Sequence, residues 1–252
     1  MFGRWTLRPI MLFAAAYTIV GVLHELVHAL TAYTLGVPST LFHLYANIDR
    51  NVGALGDRAV IRAAGPVFCL GMGLIAWFAR RAARDSRLDL PLLYLAWFGI
   101  ATFFGNLLGT PFVGDFSGLA TMFGLPMSVR YAAALIGLLS ICLFSLIIGT
   151  ELRHWSPGGV SDAAAMLGMV VLPAVVGTLL ALLIFIPIPS DWVIGRLGEA
   201  AFWLFAAVGI FFSRKPPADS ISDLGPGWPD LVLLLTSALV VRMLAGGIEF
   251  TT

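Results

Sequence analysis

Charged side chains are scarce in this chain, and their scarcity excludes most classes of soluble protein. Lysine, arginine, aspartate and glutamate together make up 12% of the 252 residues, whereas hydrophobic residues make up 59%. Soluble globular domains carry roughly 25% charged residues. The mean hydropathy of +0.93 agrees with this deficit. We therefore expect an integral membrane protein that is embedded in a lipid bilayer.

Two further shortages narrow the range of functions. The formal net charge is only +1, and no basic run is interleaved with aromatic residues, so nucleic acid is not an expected partner. The two cysteines, Cys69 and Cys142, form no CxxC pair, so the sequence implies neither a disulfide framework nor a zinc ribbon. The first apolar run continues through HELVHALTAYTLG without a small-residue cleavage site. We interpret it as a retained first span and not as a cleaved signal peptide.

Long apolar runs fill most of the chain. Because about 20 apolar residues cross the hydrocarbon core, the runs predict an all-α polytopic membrane protein with about six to seven transmembrane helices. The candidate spans are residues 9–35, 60–79, 90–108, 131–149, 163–188, 197–213 and 229–245, and the last two are short. Between the first two spans, LFHLYANI alternates in polarity and DRNVG is typical of a turn. This pattern predicts a small β-hairpin-like loop after the first helix.

The distribution of basic residues predicts the orientation of the chain. Lysine and arginine are in excess on the cytoplasmic side of membrane proteins. With the N-terminus inside, the cytoplasmic set is Arg4, Arg8, Arg80, Arg81, Arg84, Arg87, Arg153, Arg214 and Lys215, and the smaller opposite set is Arg50, Arg58, Arg62, Arg130, Arg196 and Arg242. We therefore expect a cytoplasmic N-terminus. The composition, with few lysines and many alanines and arginines, resembles that of a bacterial inner (plasma) membrane protein.

Three polar residues lie within the first predicted span, in the motif HELVH. His24 and His28 are four residues apart, so on a helix they lie one turn apart on the same face and can bind one Zn²⁺. Glu25 can then reach a water at the ion, as a general base must. Polar groups inside a span are costly unless partners, water or metal satisfy them, so their presence favours a function. The alternatives are hydrogen bonds between packed helices or a proton path.

A hydrolytic zinc site usually takes three protein ligands and one water. The candidates for the third ligand are His43 in the hairpin-like loop, His154 after the fourth span, and Asp115 after the third span. Depth favours Asp115, because the first and third spans run in the same direction, whereas His154 would emerge at the opposite face. Asp115 also lies in GNLLGTPFVGDFSG, whose glycines and proline predict an irregular backbone. Such backbone is tolerated at membrane depth only where protein or water covers it, which favours a position at the site over an ordinary surface loop.

Taken together, three segments resemble the site-2 protease family of intramembrane zinc metalloproteases, and they occur in the family's order. HELVH resembles the first-helix motif HExxH of that family. RAAGPVF, with Gly65 and Pro66 in the second span, is similar to the small-Gly-Pro signature that follows the family's β-hairpin. GNLLGTPFVGDFSG is similar to the third motif, N-x-x-P-x-P-x-x-D-G. The resemblance covers approximately residues 9–125.

The third motif departs from the family pattern. Asn106 and Pro111 keep their expected separation, but Gly109 stands where the first proline is usual. Asp115 comes one residue late, and Gly118 does not follow it directly. These departures affect the assignment of Asp115 more than that of the histidines.

The resemblance implies a role for each matching residue. It implies zinc held by His24, His28 and Asp115, the catalytic base Glu25, substrate-positioning residues Asn106 and Pro111, and the structural motif of Gly65 and Pro66. It also implies that the loop of residues 41–48 pairs with an unwound segment of a transmembrane protein substrate. Residues 1–128 would form a metalloprotease core of three transmembrane helices. Residues 129–252 would add further helices of unassigned role.

The leading hypothesis is therefore a zinc-dependent endopeptidase that cuts a peptide bond in or near a transmembrane segment. One alternative is a non-catalytic relative that serves as a membrane scaffold or assembly partner, which the displaced Asp115 suggests. Another is a proton or metal-ion transporter, because ionisable residues in a membrane also mark ion paths. Transporters commonly contain repeated halves with paired broken helices, and we find one such break in the sequence.

Overall fold

The computed structural model describes residues 4–49, 52–84, 86–157, 159–188, 201–213 and 225–251. They are mostly helical. The elements in chain order are α1 Arg4–Thr34, β1 Ser39–Leu41, β2 Ala46–Ile48, α2 Leu55–Ala82, α3 Asp89–Gly109, α4 Asp115–Met122, α5 Met127–His154, α6 Asp162–Phe185, α7 Ala206–Phe212, α8 Trp228–Leu244 and β3 Ile248–Phe250. Within α6, Leu167–Val171 and Pro173–Gly177 are π-helical turns.

Among the described residues, five helices are long and apolar enough to cross a membrane: α1, α2, α3, α5 and α6. They correspond to the first five predicted spans, and they indicate a membrane protein. The sixth predicted span, 197–213, begins in residues outside the described part, and its described portion contains only a short apolar helix at Ala201–Phe212. The seventh corresponds to α8, which has 17 residues. The short helix α4 follows the third span and has eight residues.

The first helix lies at the centre of the fold. Of its most apolar 18-residue window, 72% is buried inside the protein, a larger share than for any of the other four long helices. It contacts α2, α3, α6 and α8, as a helix that is apolar on all sides should. The neighbouring helices α2 and α3 approach each other so closely that a β-carbon at Gly99 would lie 2.8 Å from the Cα of Gly73. The HELVH segment of α1 packs against α2.

A small antiparallel sheet with the order β2-β1-β3 covers one end of α1. A hairpin is present as β1 and β2, in which Leu41 pairs with Ala46. Its turn lies at residues 42–45, within LFHLYANI, and not at DRNVG as predicted, because Phe42 donates its N–H to the carbonyl of Tyr45. The third strand, β3, was not predicted, and it pairs Leu41 with Ile248 on the other edge of β1. Ser39 ties the sheet to α1, because its hydroxyl donates to the carbonyl of Ala29 at 3.1 Å. The two edges of the sheet are β2 and β3.

Buried ion pairs lie far from the HELVH segment. The Arg8 side chain, near the start of α1, pairs with Asp230 at 3.1 Å. Arg80, near the end of α2, pairs with Asp89 at 2.8 Å and with Glu151 at 2.6 Å. Since a helix rises about 1.5 Å per residue, Arg8 lies roughly 24 Å along α1 from His24. These charges join the ends of helices and take no part in the candidate site.

Candidate metal centre

The structure brings together the three predicted ligands from α1 and α4. The Nε2 atoms of His24 and His28 are 3.1 Å apart. The Oδ2 atom of Asp115 lies 3.1 Å from Nε2 of His24 and 3.4 Å from Nε2 of His28. Both histidines are buried, and the carboxylate side chain is 23% exposed. Three atoms that could bind a metal therefore form a nearly equilateral triangle.

The dimensions of this triangle fit a tetrahedral zinc site. Zinc–nitrogen and zinc–oxygen bonds of about 2.0–2.1 Å, at the tetrahedral angle, place neighbouring ligand atoms about 3.3–3.4 Å apart. The three separations of 3.1, 3.1 and 3.4 Å are close to that value. Two imidazoles and one carboxylate are also a ligand set that catalytic zinc sites use, with the fourth position left for water or substrate.

The second nitrogen of each imidazole has its own partner. The Nδ1 of His28 lies 2.6 Å from the carbonyl oxygen of Ile61, to which it donates when Nδ1 carries the proton. The Nδ1 of His24 lies 3.6 Å from the sulfur of Cys69. With Nδ1 protonated, each Nε2 presents its lone pair to the centre of the triangle. Ile61 and Cys69, both in α2, therefore fix the orientation of the two imidazoles.

The Gly-Pro pair in α2 has a direct physical reason. A β-carbon at Gly65 would overlap Nε2 of His28 and would lie 2.9 Å from Cε1 of His24. Pro66 lies inside α2 and has no N–H to donate to the carbonyl of Arg62, which interrupts the helical hydrogen bonds in this turn. Gly65 thus lets the backbone of α2 pass directly against the two imidazoles.

Asp115 is the first residue of α4, and the loop before it places its carboxylate. Gly114 has φ of +96°, in the region that favours glycine. The backbone N–H of Asp115 donates to Oδ1 of Asn106 at 3.0 Å, and the Asn106 amide donates to the carbonyl of Thr102 at 3.1 Å. Burial raises the pKa of the Asp115 carboxyl, whereas the two histidines lower this pKa when their Nε2 atoms carry protons.

Glu25 lies beside the triangle and is held by the sheet. Its side chain is buried, and Oε2 accepts a hydrogen bond from the N–H of Ala46, the first residue of β2, at 2.9 Å. This contact leaves the other carboxylate oxygen without a protein donor among the described residues. Glu25 also lines the same cavity as His24, His28 and Asp115. Its position suits a proton acceptor at the site and does not make it part of the ligand triangle.

The remaining candidates lie apart from the triangle. His43 is buried in the hairpin turn, where its Nε2 contacts the carbonyl oxygens of Phe185 at 2.9 Å and Pro187 at 3.2 Å. His154 is the last residue of α5, where its ring packs against Trp155. Pro111 lies in the turn between α3 and α4 and lines no part of the cavity that the structure describes. Of the three candidates for the third ligand, only Asp115 is beside the histidine pair.

A cavity of about 1110 Å³ adjoins the triangle and is large enough for an extended peptide segment. Most of its wall residues come from α1, β2, α2, α3 and the loop before α4, and Ile141 and Phe202 complete the lining. Arg58 and Arg62, one turn apart on α2, line it beside the strand residues Asn47 and Ile48. These two arginines were counted for orientation in the sequence, and their place at the cavity was not predicted because it depends on how α2 packs against α1.

Some residues that shape the site carry no signal in the sequence. The contact from Cys69 to His24 and the contact from Ile61 to His28 join α2 to α1, and neither residue belongs to a metal-binding motif in the sequence. The resemblance to the family motif identified Gly65, but the steric reason for a glycine there depends on the positions of the two imidazoles.

No family model matches this chain, and no curated protein and no solved structure matches it either.

Proposed function

We propose that this chain is a zinc-dependent intramembrane endopeptidase of the site-2 protease type, which hydrolyses a peptide bond in or near a transmembrane segment of another protein. One observation carries the proposal. The nitrogen and oxygen atoms of His24, His28 and Asp115 lie within 3.1–3.4 Å of one another, and the carboxylate of Glu25 lines the same cavity. Both histidines belong to a helix that is long and apolar enough to cross a membrane.

The chemistry follows from the residues at the cavity. When bound, zinc supplies a Lewis acid that polarises the scissile carbonyl and lowers the pKa of water. Glu25 takes the proton from the attacking water, whose oxygen forms a bond to the carbonyl carbon. The carbon–nitrogen bond then breaks, and the proton passes from Glu25 to the leaving amine. Water is the only co-reactant, and the products are a new carboxylate and a new amine.

The β2 edge of the sheet provides a place for an unwound substrate segment. Phe42 donates its N–H to the carbonyl of Tyr45 at 2.9 Å, and hydrogen-bonded and non-hydrogen-bonded pairs alternate along an antiparallel ladder. The backbone groups of Ala46 and Ile48 therefore point away from β1. Both residues line the cavity. The N–H of Ala46 is taken by Glu25, so the carbonyl of Ala46 and the backbone groups of Ile48 are the groups of this edge that can pair with an extended peptide. A transmembrane helix must unwind before hydrolysis, because its peptide bonds are hydrogen-bonded within the helix.

We further propose that the protein lies in a bacterial inner membrane with its N-terminus in the cytoplasm. The excess of arginine on the cytoplasmic side supports this orientation. The residues Arg50, Arg196, Arg214 and Lys215, which contribute to the count, lie outside the described part of the chain. Arg80, which the count places inside, is buried between Asp89 and Glu151. The cluster that includes Arg81, Arg84 and Arg87 carries the orientation argument.

A Glu25→Gln variant tests the function. Membranes from bacteria that express the wild type or this variant would be compared by labelling new protein N-termini and identifying them by mass spectrometry. We expect N-termini within apolar segments of about 20 residues, present only with the wild type, and equal zinc in both purified proteins. Identical N-termini in the two samples would contradict a protease and favour a scaffold. Zinc flux into vesicles that contain the purified protein would favour a transporter.

A further inference from the structure

The amide of Asn106 is already engaged at both ends. Its Oδ1 accepts the backbone N–H of Asp115 at 3.0 Å, and its Nδ2 donates to the carbonyl of Thr102 at 3.1 Å. The resemblance to site-2 proteases implied that this side chain contacts the substrate backbone. In the structure it instead joins the last turns of α3 to the first residue of α4.

This contact solves a problem at the start of α4. The first N–H groups of a helix have no partner within the helix, and a capping side chain usually supplies one. The N-cap residue here is Gly114, which has no side chain that could accept a hydrogen bond. Asn106, from the preceding helix, supplies the missing acceptor to Asp115. The residue that is capped in this way is also the proposed metal ligand.

Gly114 makes the contact possible. A β-carbon at this position would lie 2.9 Å from Oδ1 of Asn106, and the φ of +96° is one that other residues rarely adopt. The turn between the helices is closed by Phe112 and Val113, whose N–H groups both donate to the carbonyl of Gly109 at 2.8 Å. In the absence of the first proline of the family motif, hydrogen bonds thus hold the loop that delivers Asp115.

We propose that Asn106 is a positioning residue that fixes the metal ligand Asp115 through its backbone. This inference rests on the proposed metal site. A loss of the Asn106 side chain frees the N–H of Asp115 and lets the start of α4 move, so the carboxylate no longer stays 3.1–3.4 Å from both imidazoles. Groups that orient a metal ligand typically affect metal affinity about 10- to 100-fold when they are removed.

The test measures metal affinity and needs no substrate. The full-length protein in detergent would be titrated with Zn²⁺ in competition with a chromophoric chelator, and with Co²⁺ to record its visible absorption bands. We expect Asn106→Ala to weaken Zn²⁺ binding about 10- to 100-fold and to alter the Co²⁺ bands. Asn106→Asp keeps an acceptor for the N–H of Asp115, so it should restore most of the affinity. Asn47→Ala removes another asparagine that lines the cavity and should leave the affinity unchanged.

Asp115→Ala, measured beside these variants, separates the two possible failures. If Asp115→Ala loses Zn²⁺ affinity and Asn106→Ala does not, the positioning role is wrong and the metal site stands. If neither variant changes the affinity, both the positioning role and the proposed ligand are wrong. A loss in both Asn106→Ala and Asn106→Asp, with unfolding curves unlike those of the wild type, would also overturn the proposal, because the acceptor oxygen would not be what matters.

Discussion

The backbone of Gly65 lies against the imidazole of His28 so closely that no β-carbon fits between them. The same position would bring a β-carbon to 2.9 Å from His24. Gly65 and His28 are far apart in the sequence, yet the position of the His28 ring requires that residue 65 has no β-carbon. It follows that the Gly-Pro pair serves the histidines and not merely the packing of α2.

A Gly65→Ala substitution tests this requirement. The methyl group would displace the ring of His28 from the triangle, so we expect Zn²⁺ affinity to fall about 10- to 100-fold. Gly71→Ala is a matched control in the same helix, because a β-carbon there would meet no atom within 4 Å. Titration of both variants with Zn²⁺ in detergent checks the prediction. Equal affinities for Gly65→Ala and the control would show that the imidazoles are not held by this contact.

The bond from Ala46 to Glu25 makes a second prediction. Ala46→Pro removes the N–H that Oε2 of Glu25 accepts at 2.9 Å and leaves the carboxylate itself in place. A general base contributes about 10²–10⁴-fold to a reaction, so a loosened base should reduce cleavage by roughly ten- to a hundredfold without a loss of zinc. Ala46→Gly keeps the N–H and serves as the control. Cleavage would be followed as the yield of the new N-termini that depend on Glu25. Wild-type cleavage by Ala46→Pro would mean that the sheet does not position the base.

The buried pair of Arg80 and Asp89 predicts an effect on stability alone. Asp89 is fully buried, and Arg80→Met would leave its carboxylate without the partner at 2.8 Å. Removal of one member of a buried ion pair costs about 3–5 kcal/mol. Arg81→Met, at an exposed neighbour that packs over Phe78, should cost about 1 kcal/mol or less.

Unfolding in detergent mixtures, followed by tryptophan fluorescence, measures both changes. Zinc affinity should remain that of the wild type, because Arg80 lies roughly 22 Å along α2 from Gly65. A double variant, Arg80→Met with Asp89→Leu, should recover part of the lost stability, since the fully buried carboxylate is then removed and the Glu151 carboxylate that remains is partly exposed. If Arg80→Met proved as stable as Arg81→Met, the pair would not be a determinant of the fold.

Local features of the site could be predicted from the sequence, whereas contacts between distant segments could not. The spacing of His24 and His28 places them on one helix face because α-helical geometry is a local property. The choice of Asp115 over His154 followed from the depth at which the third span ends. The use of His43 to hold the end of α6 depends on packing between segments far apart in the chain, so no local pattern indicates it.

Elements with few residues were the hardest to predict. The strand β3 has three residues, which is too short to show a clear alternation, and its partner β1 lies near the other end of the chain. The helix α7 is likewise shorter than the span predicted for that region. The role of Asn106 was predicted from a resemblance, and the hydrogen bond to Asp115 could not be foreseen because it depends on the left-handed turn at Gly114.

The central claim is that a cation joins the two histidines of α1 to the carboxylate of α4. Metal analysis of the purified wild type beside His28→Ala, Asp115→Ala and His43→Ala tests it most directly. We predict roughly one zinc per chain in the wild type and in His43→Ala, and a strong loss in the other two variants. Undiminished zinc in Asp115→Ala would contradict the account, and a matching loss in His43→Ala would transfer the third ligand to the hairpin.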